Sequence, residues 1–224
     1  VYANISLSNN NLGQVYIGGA IGILSQKSKI NNLTISGSIN GSTINVNNLN
    51  NNITTDYVLG NIIGGAIAYI TNEGGDISDI STNLTINALG YSASTNYSSI
   101  IGGVVGCGYF DKFNNISSLG SISANNSYSG NVYISGIIGK IIGVSNRIYG
   151  IHNQMNINMN VKENKNVYVS GITNVSLNTN DSSLNISSLN VFYASGLSNS
   201  GIISINKNFV INESIANSLN INVT

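Results

Sequence analysis

The chain of 224 residues has no proline, no tryptophan, one cysteine, one histidine and one arginine. Each scarcity removes a class of explanation. Without proline every backbone N–H can enter a ladder, as strands paired along both edges require. A single thiol, Cys107, rules out an intrachain disulfide, and it is expected to be a small buried apolar residue. A single imidazole, His152, rules out a His-based metal site or a Ser-His-Asp triad within one chain.

Charge is equally sparse. Only 7% of residues are charged, eight basic and eight acidic, against roughly 25% in ordinary globular proteins. Nucleic-acid binding needs clustered Lys and Arg. Here the only arginine is Arg147, and Lys162 and Lys165 are split by Glu163. The longest nearly apolar run, Tyr133 to Val144, is too short for a membrane span and contains Lys140. The start shows neither Met nor a leader pattern, as expected of a mature product or a fragment. Low charge can signal disorder, but disordered chains are poor in β-branched residues. This chain is 42% hydrophobic and rich in Ile and Val, so order is expected.

What is abundant is Asn (42), Ser (33) and Gly (25), arranged in a repeat. Tyr16-Ile-Gly-Gly-Ala-Ile-Gly-Ile23 returns as Ile62-Ile-Gly-Gly-Ala-Ile-Ala-Tyr69 and Ile100-Ile-Gly-Gly-Val-Val-Gly-Cys107. It returns again as Tyr133-Ile-Ser-Gly-Ile-Ile-Gly-Lys140, and in worn form from Tyr168 and Tyr193. The shared glycines are Gly19, Gly65, Gly103, Gly136, Gly171 and Gly196, at intervals of 46, 38, 33, 35 and 25 residues. Periods of that order mean stacked coils rather than one closed core.

Each unit reads as a Gly strand, a polar corner and two further short strands, such as Ile77–Ile80 and Leu84–Leu89. Met155-Asn-Ile-Asn-Met-Asn-Val161 alternates strictly, the pattern of a half-buried strand. Val46 to Asp56 reads as an Asn-rich excursion with one short strand. The expected fold is all-β: a single-stranded β-helix (β-solenoid) of about six coils, each with roughly three short parallel strands. It forms one domain over residues 1–224. Residues 1–15 end a preceding coil, 16–200 carry six Gly-strand repeats, the last beginning near 193, and 201–224 form a C-terminal coil or cap. A unit cannot bury its apolar face alone; stacking at about 4.8 Å per coil makes a continuous core some 30 Å long.

Gly18-Gly19-x-x-Gly22 and Gly102-Gly103-x-x-Gly106, followed by Ile30-Asn-Asn-Leu33 or Phe113-Asn-Asn-Ile116 and then Gly37-Ser-Ile39 or Gly120-Ser-Ile122, resemble the GLUG repeat. That repeat belongs to secreted and surface-anchored adhesin-like proteins, which are β-solenoids. Gly-Gly-Ala-Ile at 18–21 and 64–67 is also similar to the polymorphic membrane protein repeats. The resemblance implies an extracellular or cell-surface role and brings no catalytic residues with it.

Alternation along the Gly strand makes both faces apolar. One face stacks Tyr16, Ile62, Ile100, Tyr133, Tyr168 and Tyr193 across the copies. A sheet apolar on both sides is covered on both. A loop, a flattened coil with two core layers, or another copy of the protein could do this. Coil ends and this stripe make other copies of the chain the expected partner.

Thirteen Asn-x-Ser/Thr sequons are present against roughly eight by chance. Those at expected corners are Asn40, Asn52, Asn96, Asn125 and Asn180, whereas Asn32, Asn83 and Asn115 could instead turn inward as ladders. Glu73, Asp76 and Asp79 share a Gly-containing corner that could hold Ca²⁺, but their spacing matches no known calcium loop, and a solvated acidic turn is expected. No cofactor is expected. Enzymatic β-helices cluster Asp, Arg and Lys on one strand face; Asp56, Asp111 and Asp181 share no repeat position, so an enzyme is not expected. The eleven Thr do not repeat in register, which argues against ice binding. The expectation is a non-enzymatic, self-assembling structural or adhesive protein; the alternative is a β-helix that binds or cleaves glycans.

Overall fold

The computed structural model of the protein describes residues 1–6, 15–25, 27–41, 45–46, 59–71, 75–88, 92–93, 98–109, 111–125, 132–141, 147–161, 167–175 and 193–207. They wind as a β-solenoid of about six coils built on three all-parallel sheets. A long-strand sheet contains β1 (Tyr2–Ser6), β4 (Ser28–Asn40), β8 (Gly75–Ala88), β12 (Lys112–Asn125), β15 (Arg147–Val161), β18 (Tyr193–Asn199) and β19 (Ile203–Lys207). The first short sheet contains β2 (Tyr16–Gly18), β6 (Leu59–Gly64), β10 (Ser98–Gly102), β13 (Val132–Ser135) and β16 (Val167–Ser170). The second contains β3 (Ile21–Leu24), β7 (Ile67–Ile70), β11 (Val105–Gly108), β14 (Ile138–Ile141) and β17 (Thr173–Val175). A further pair joins β5 (Asn45–Val46) to β9 (Ser92–Ala93), in the excursions that follow the long strands.

Three strands per coil were expected, but the breaks fall elsewhere. The Gly strand is two strands, bent at the second glycine, and the two strands read after it are one long strand of 13 to 15 residues. The reason for the first break is close approach. A methyl on Gly64 would overlap the carbonyl of Ile67 in its own turn, and one on Gly65 would overlap the carbonyl of Gly103 in the next coil. In these coils the first glycine leaves room for the bend and the second permits the next coil to sit on it. Ser135 and Ser170 hold the first position in the later coils, so the second glycine is the one every bend shares. The ladder passes through the corner unbroken: Gly65 N donates to Gly102 O at 3.0 Å and Ala66 N to Val104 O at 2.8 Å.

The long strand bends without breaking. Asn32, Asp79, Asn115, Gly150 and Gly196 all have positive φ, between 53° and 64°, and occupy one register position in successive rungs. Asn, Asp and Gly are the residues that tolerate this left-handed conformation. The extra residue resets the alternation, so that Ile77 before it and Ile80 after it are both buried.

Gly196 therefore departs from the expected column. Gly19, Gly65, Gly103, Gly136 and Gly171 do follow one another at the short-sheet corner, but Gly196 lies on Gly150 in the long sheet, with Tyr193 beside Arg147. The octapeptide at 193–200 matched because Ser-Gly-aliphatic serves both sites. In one, glycine answers a packing limit; in the other, a dihedral.

The main core lies between the long sheet and the inner faces of the short ones. Ile35, Ile39, Ile80, Ile86, Ile122 and Ile157 come from the first, and Ile63, Ile101, Ile134, Ile67, Val105 and Ile138 from the second. All are at most 1% exposed, so each contributes about 1.5–3 kcal/mol of burial.

Two substitutions test these glycine roles. Gly65→Ala is expected to destabilise the protein by roughly 3 kcal/mol or more in chemical denaturation, since backbone must move. Gly22→Ala, whose methyl would meet only Tyr16 O at 3.6 Å, is expected to be near neutral. At the long-strand bend, Asn115→Val is expected to cost about 1–2 kcal/mol and Asn115→Gly much less; equal losses would remove the dihedral account.

Candidate functional site

The outer faces of the two short strands close on each other. At the bend the corner points toward the long sheet: a methyl on Gly19 would touch Ile35, on Gly65 Leu84, on Gly103 Met155, and on Gly171 Asn199. On the opposite side the short strands form the walls of a notch running up the rod. Gly106 and Gly139 on the second wall leave room for Ile62 and Ile100 on the first. The notch holds its own apolar cluster of Ile62, Ala68, Ile100, Cys107 and Tyr133, flanked by Tyr16, Tyr69, Tyr109 and Tyr168.

This is where most of the expected stripe lies. Ile62 and Ile100 are fully buried by the chain itself and Tyr133 is 8% exposed, whereas Tyr16 and Tyr168 are half-buried. Tyr193 is not part of it. The Tyr133 and Tyr168 rings stack at 4.7 Å, and Tyr16 tilts against Tyr69 at 5.5 Å. Lys140, paired in register with Cys107, is 6% exposed with its ammonium 4.2 Å above the Tyr133 ring. Cation–π attraction partly offsets the desolvation of such a group. Burial still pushes the Lys140 amine below its ordinary value. Burial pushes the Cys107 thiol up to about 12 and the Tyr69 phenol up to about 12, and it raises Tyr16 further. A buried thiol raised in pKa and neutral phenols pack the notch together with the desolvated Lys140.

A second feature escaped the sequence reading. Thr82, Ser118, Asn153 and Asn199 form a column inside the long sheet, facing the glycine corner. Thr82 Oγ1 donates to the Gly103 carbonyl at 3.1 Å. Ser118 Oγ donates to Asn153 Oδ1, and Asn153 Nδ2 donates to Asn199 Oδ1 at 2.6 Å. The signal was available: each is a polar residue at an otherwise apolar inward position.

The remaining candidates separate by location. Glu73 lies outside the described residues. Asp76 sits in register between Lys29 and Lys112, with Arg147 one rung further. Hydrogen bonds from Asn115 and Ser78 hold the Asp79 carboxyl below the usual range. Among the described residues no cluster of His, Cys, Asp or Glu could hold a metal ion. Of the corner sequons, Asn40 is half-buried and Asn125 is 6% exposed; Asn52, Asn96 and Asn180 lie outside the described residues. Among the described residues no helix is long and apolar enough to cross a membrane.

No family model, curated protein or solved structure matches the chain. Its reading rests on its own geometry.

The notch predicts a direction for alkaline stability. An unfolded Cys107 ionises near 9 and the folded thiol near 12, so its stabilisation is complete below pH 9 and is lost as pH rises toward 12. The slope is about 1.4 kcal/mol per pH unit. Lys140 acts in the opposite sense, since its lowered value costs stability that returns as pH approaches 10.5. Urea melts at pH 8 and pH 10.5 are expected to show the difference between Cys107→Ala and the parent shrinking by about 2 kcal/mol. Native Cys107 is expected to resist a thiol reagent that modifies it in urea.

Proposed function

We propose that the chain is a non-enzymatic extracellular structural or adhesive repeat protein that lengthens by adding copies end to end. The observation that supports this is the sameness of its two ends. Among the described residues, β2 and β3 end the short sheets on one side and β16 and β17 on the other, and the rungs between them are all parallel, with register shifts between Ser98 and Ile100 and between Ile138 and Ile141. One further rung from a second copy would lay its Tyr16 beside Tyr168 and continue both the ladder and the tyrosine column. Unpaired strand edges are templates for such addition, and head-to-tail contacts that do not close give filaments. The apolar face of the Gly strands is spent within each coil, which leaves the ends as the assembling surface.

A second reading, a glycan-binding β-helix, draws on the outward face of the long sheet beyond its bend, where β4, β8, β12 and β15 carry no Asp, Glu, Lys or Arg. A glycan array blank at high protein concentration removes it.

Electron microscopy of the concentrated protein is expected to show fibres one rod wide. Ile23→Lys, at a 51% exposed position on the terminal β3, is expected to stop elongation while leaving the melting temperature within a degree or two. Dispersed single rods at every concentration of the parent would remove the fibre proposal.

A further inference from the structure

Long-strand geometry sorts the sequons. Seven fall on described residues: Asn4, Asn32, Asn40, Asn83, Asn115, Asn125 and Asn174. In a strand, residues two apart share a face, so a sequon there shows Asn and hydroxyl together. Asn4 with Ser6 and Asn83 with Thr85 are both exposed on the outer face of the long sheet, and Asn32 with Thr34 is exposed at the bend. Asn4 Oδ1 accepts from Ser38 Oγ at 2.6 Å, a bond that leaves its Nδ2 unused. The other four are committed or covered. Asn115 Nδ2 donates to Asp79 Oδ1. Asn174 Nδ2 donates to the carbonyls of Ile134 and Gly139, each at 3.0 Å, which uses both of its protons. Asn125 is buried, and Asn40 is half-buried and already bonded. The inward ladder considered for Asn32 and Asn83 is excluded by their exposure.

The same face has a physical need for a hydrated layer. Beyond the positive-φ bend, β4, β8, β12 and β15 carry no Asp, Glu, Lys or Arg. The charges of these four strands gather at or before the bend, chiefly in the column Lys29, Asp76, Lys112 and Arg147. A broad face of Ser, Thr and Asn without charge is open to stacking on another sheet through side-chain ladders.

We propose that Asn4, Asn32 and Asn83 are N-glycan acceptors, whose glycans keep the long sheet from stacking and confine association to the coil ends. In the transfer, each Nδ2 bonds to the anomeric carbon of a lipid-pyrophosphate-linked oligosaccharide. The carbon–oxygen bond to pyrophosphate breaks, the lipid pyrophosphate leaves, and one Nδ2 proton is lost to base. The assignment rests on the extracellular reading for its biological setting, but its test does not.

The full chain is secreted from a eukaryotic cell line behind a signal sequence, and the folded fraction is treated with peptide N-glycosidase in H₂¹⁸O. Mass spectrometry is expected to find ¹⁸O-aspartate at positions 4, 32 and 83 and none at 115, 125 or 174. Empty sites at 4, 32 and 83, or equal occupancy at 125 or 174, overturn the assignment. The triple variant Asn4→Gln, Asn32→Gln, Asn83→Gln is expected to melt like the deglycosylated parent and to scatter several-fold more light than the glycosylated one; unchanged scattering overturns the shielding role. Immunolocalisation in the source cell separates the two claims: a cytosolic protein defeats the extracellular reading and leaves the acceptor map standing.

Discussion

Backbone lies on backbone at the glycine corner, and the rest of the rod is arranged to permit it. At Gly19, Gly65 and Gly103 the α-carbon of one coil packs against the carbonyl of the glycine one coil further along, with no space for a side chain. That contact brings the corner inward onto Ile35, Leu84 and Met155, splits the Gly strand into two walls, and folds those walls together. A larger residue would hold the coils apart at the corner while the ladder still drew them together at about 4.8 Å on either side.

The folded walls explain how a strand can be apolar on both faces without an external cover. One face enters the main core with Ile63 and Ile67; the other enters the notch with Ile62 and Ala68. Two cores share one thin element, which suits a chain with so little charge. Polarity in the interior is satisfied in the Thr82 to Asn199 column, since a buried polar group left unbonded costs more than it returns. Among the described residues Asn114 Oδ1 is the buried side-chain atom without a hydrogen-bond partner.

Much of this was legible in the sequence because it repeats. The copies at Gly19, Gly65, Gly103 and Gly136 share two or three glycines in fixed positions, each position set by its own close approach. It failed at Gly196, where one glycine in a Ser-Gly-aliphatic setting could serve a close approach or a positive φ. The break inside the Gly strand was hidden because strict alternation and a bend both yield apolar residues on two faces. The long strand was hidden for the converse reason: the apolar groups Ile77–Ile80 and Leu84–Leu89 read as two short strands, yet a left-handed Asp or Asn at the bend turns the chain while the ladder continues through both. The first five residues of the expected stripe stand in register, and which surface they occupied depended on the Gly-strand bend.

Spin labels at Thr34→Cys and Ser198→Cys test the stacking most directly, with Cys107 buried and silent. The rungs run from Thr34 through Ser81, Ser117 and His152 to Ser198, so four steps of about 4.8 Å give a distance near 19 Å. A narrow distribution there supports both the in-register coil and the placement of Gly196 in the long sheet. A distance well beyond it, or a broad spread, contradicts the account.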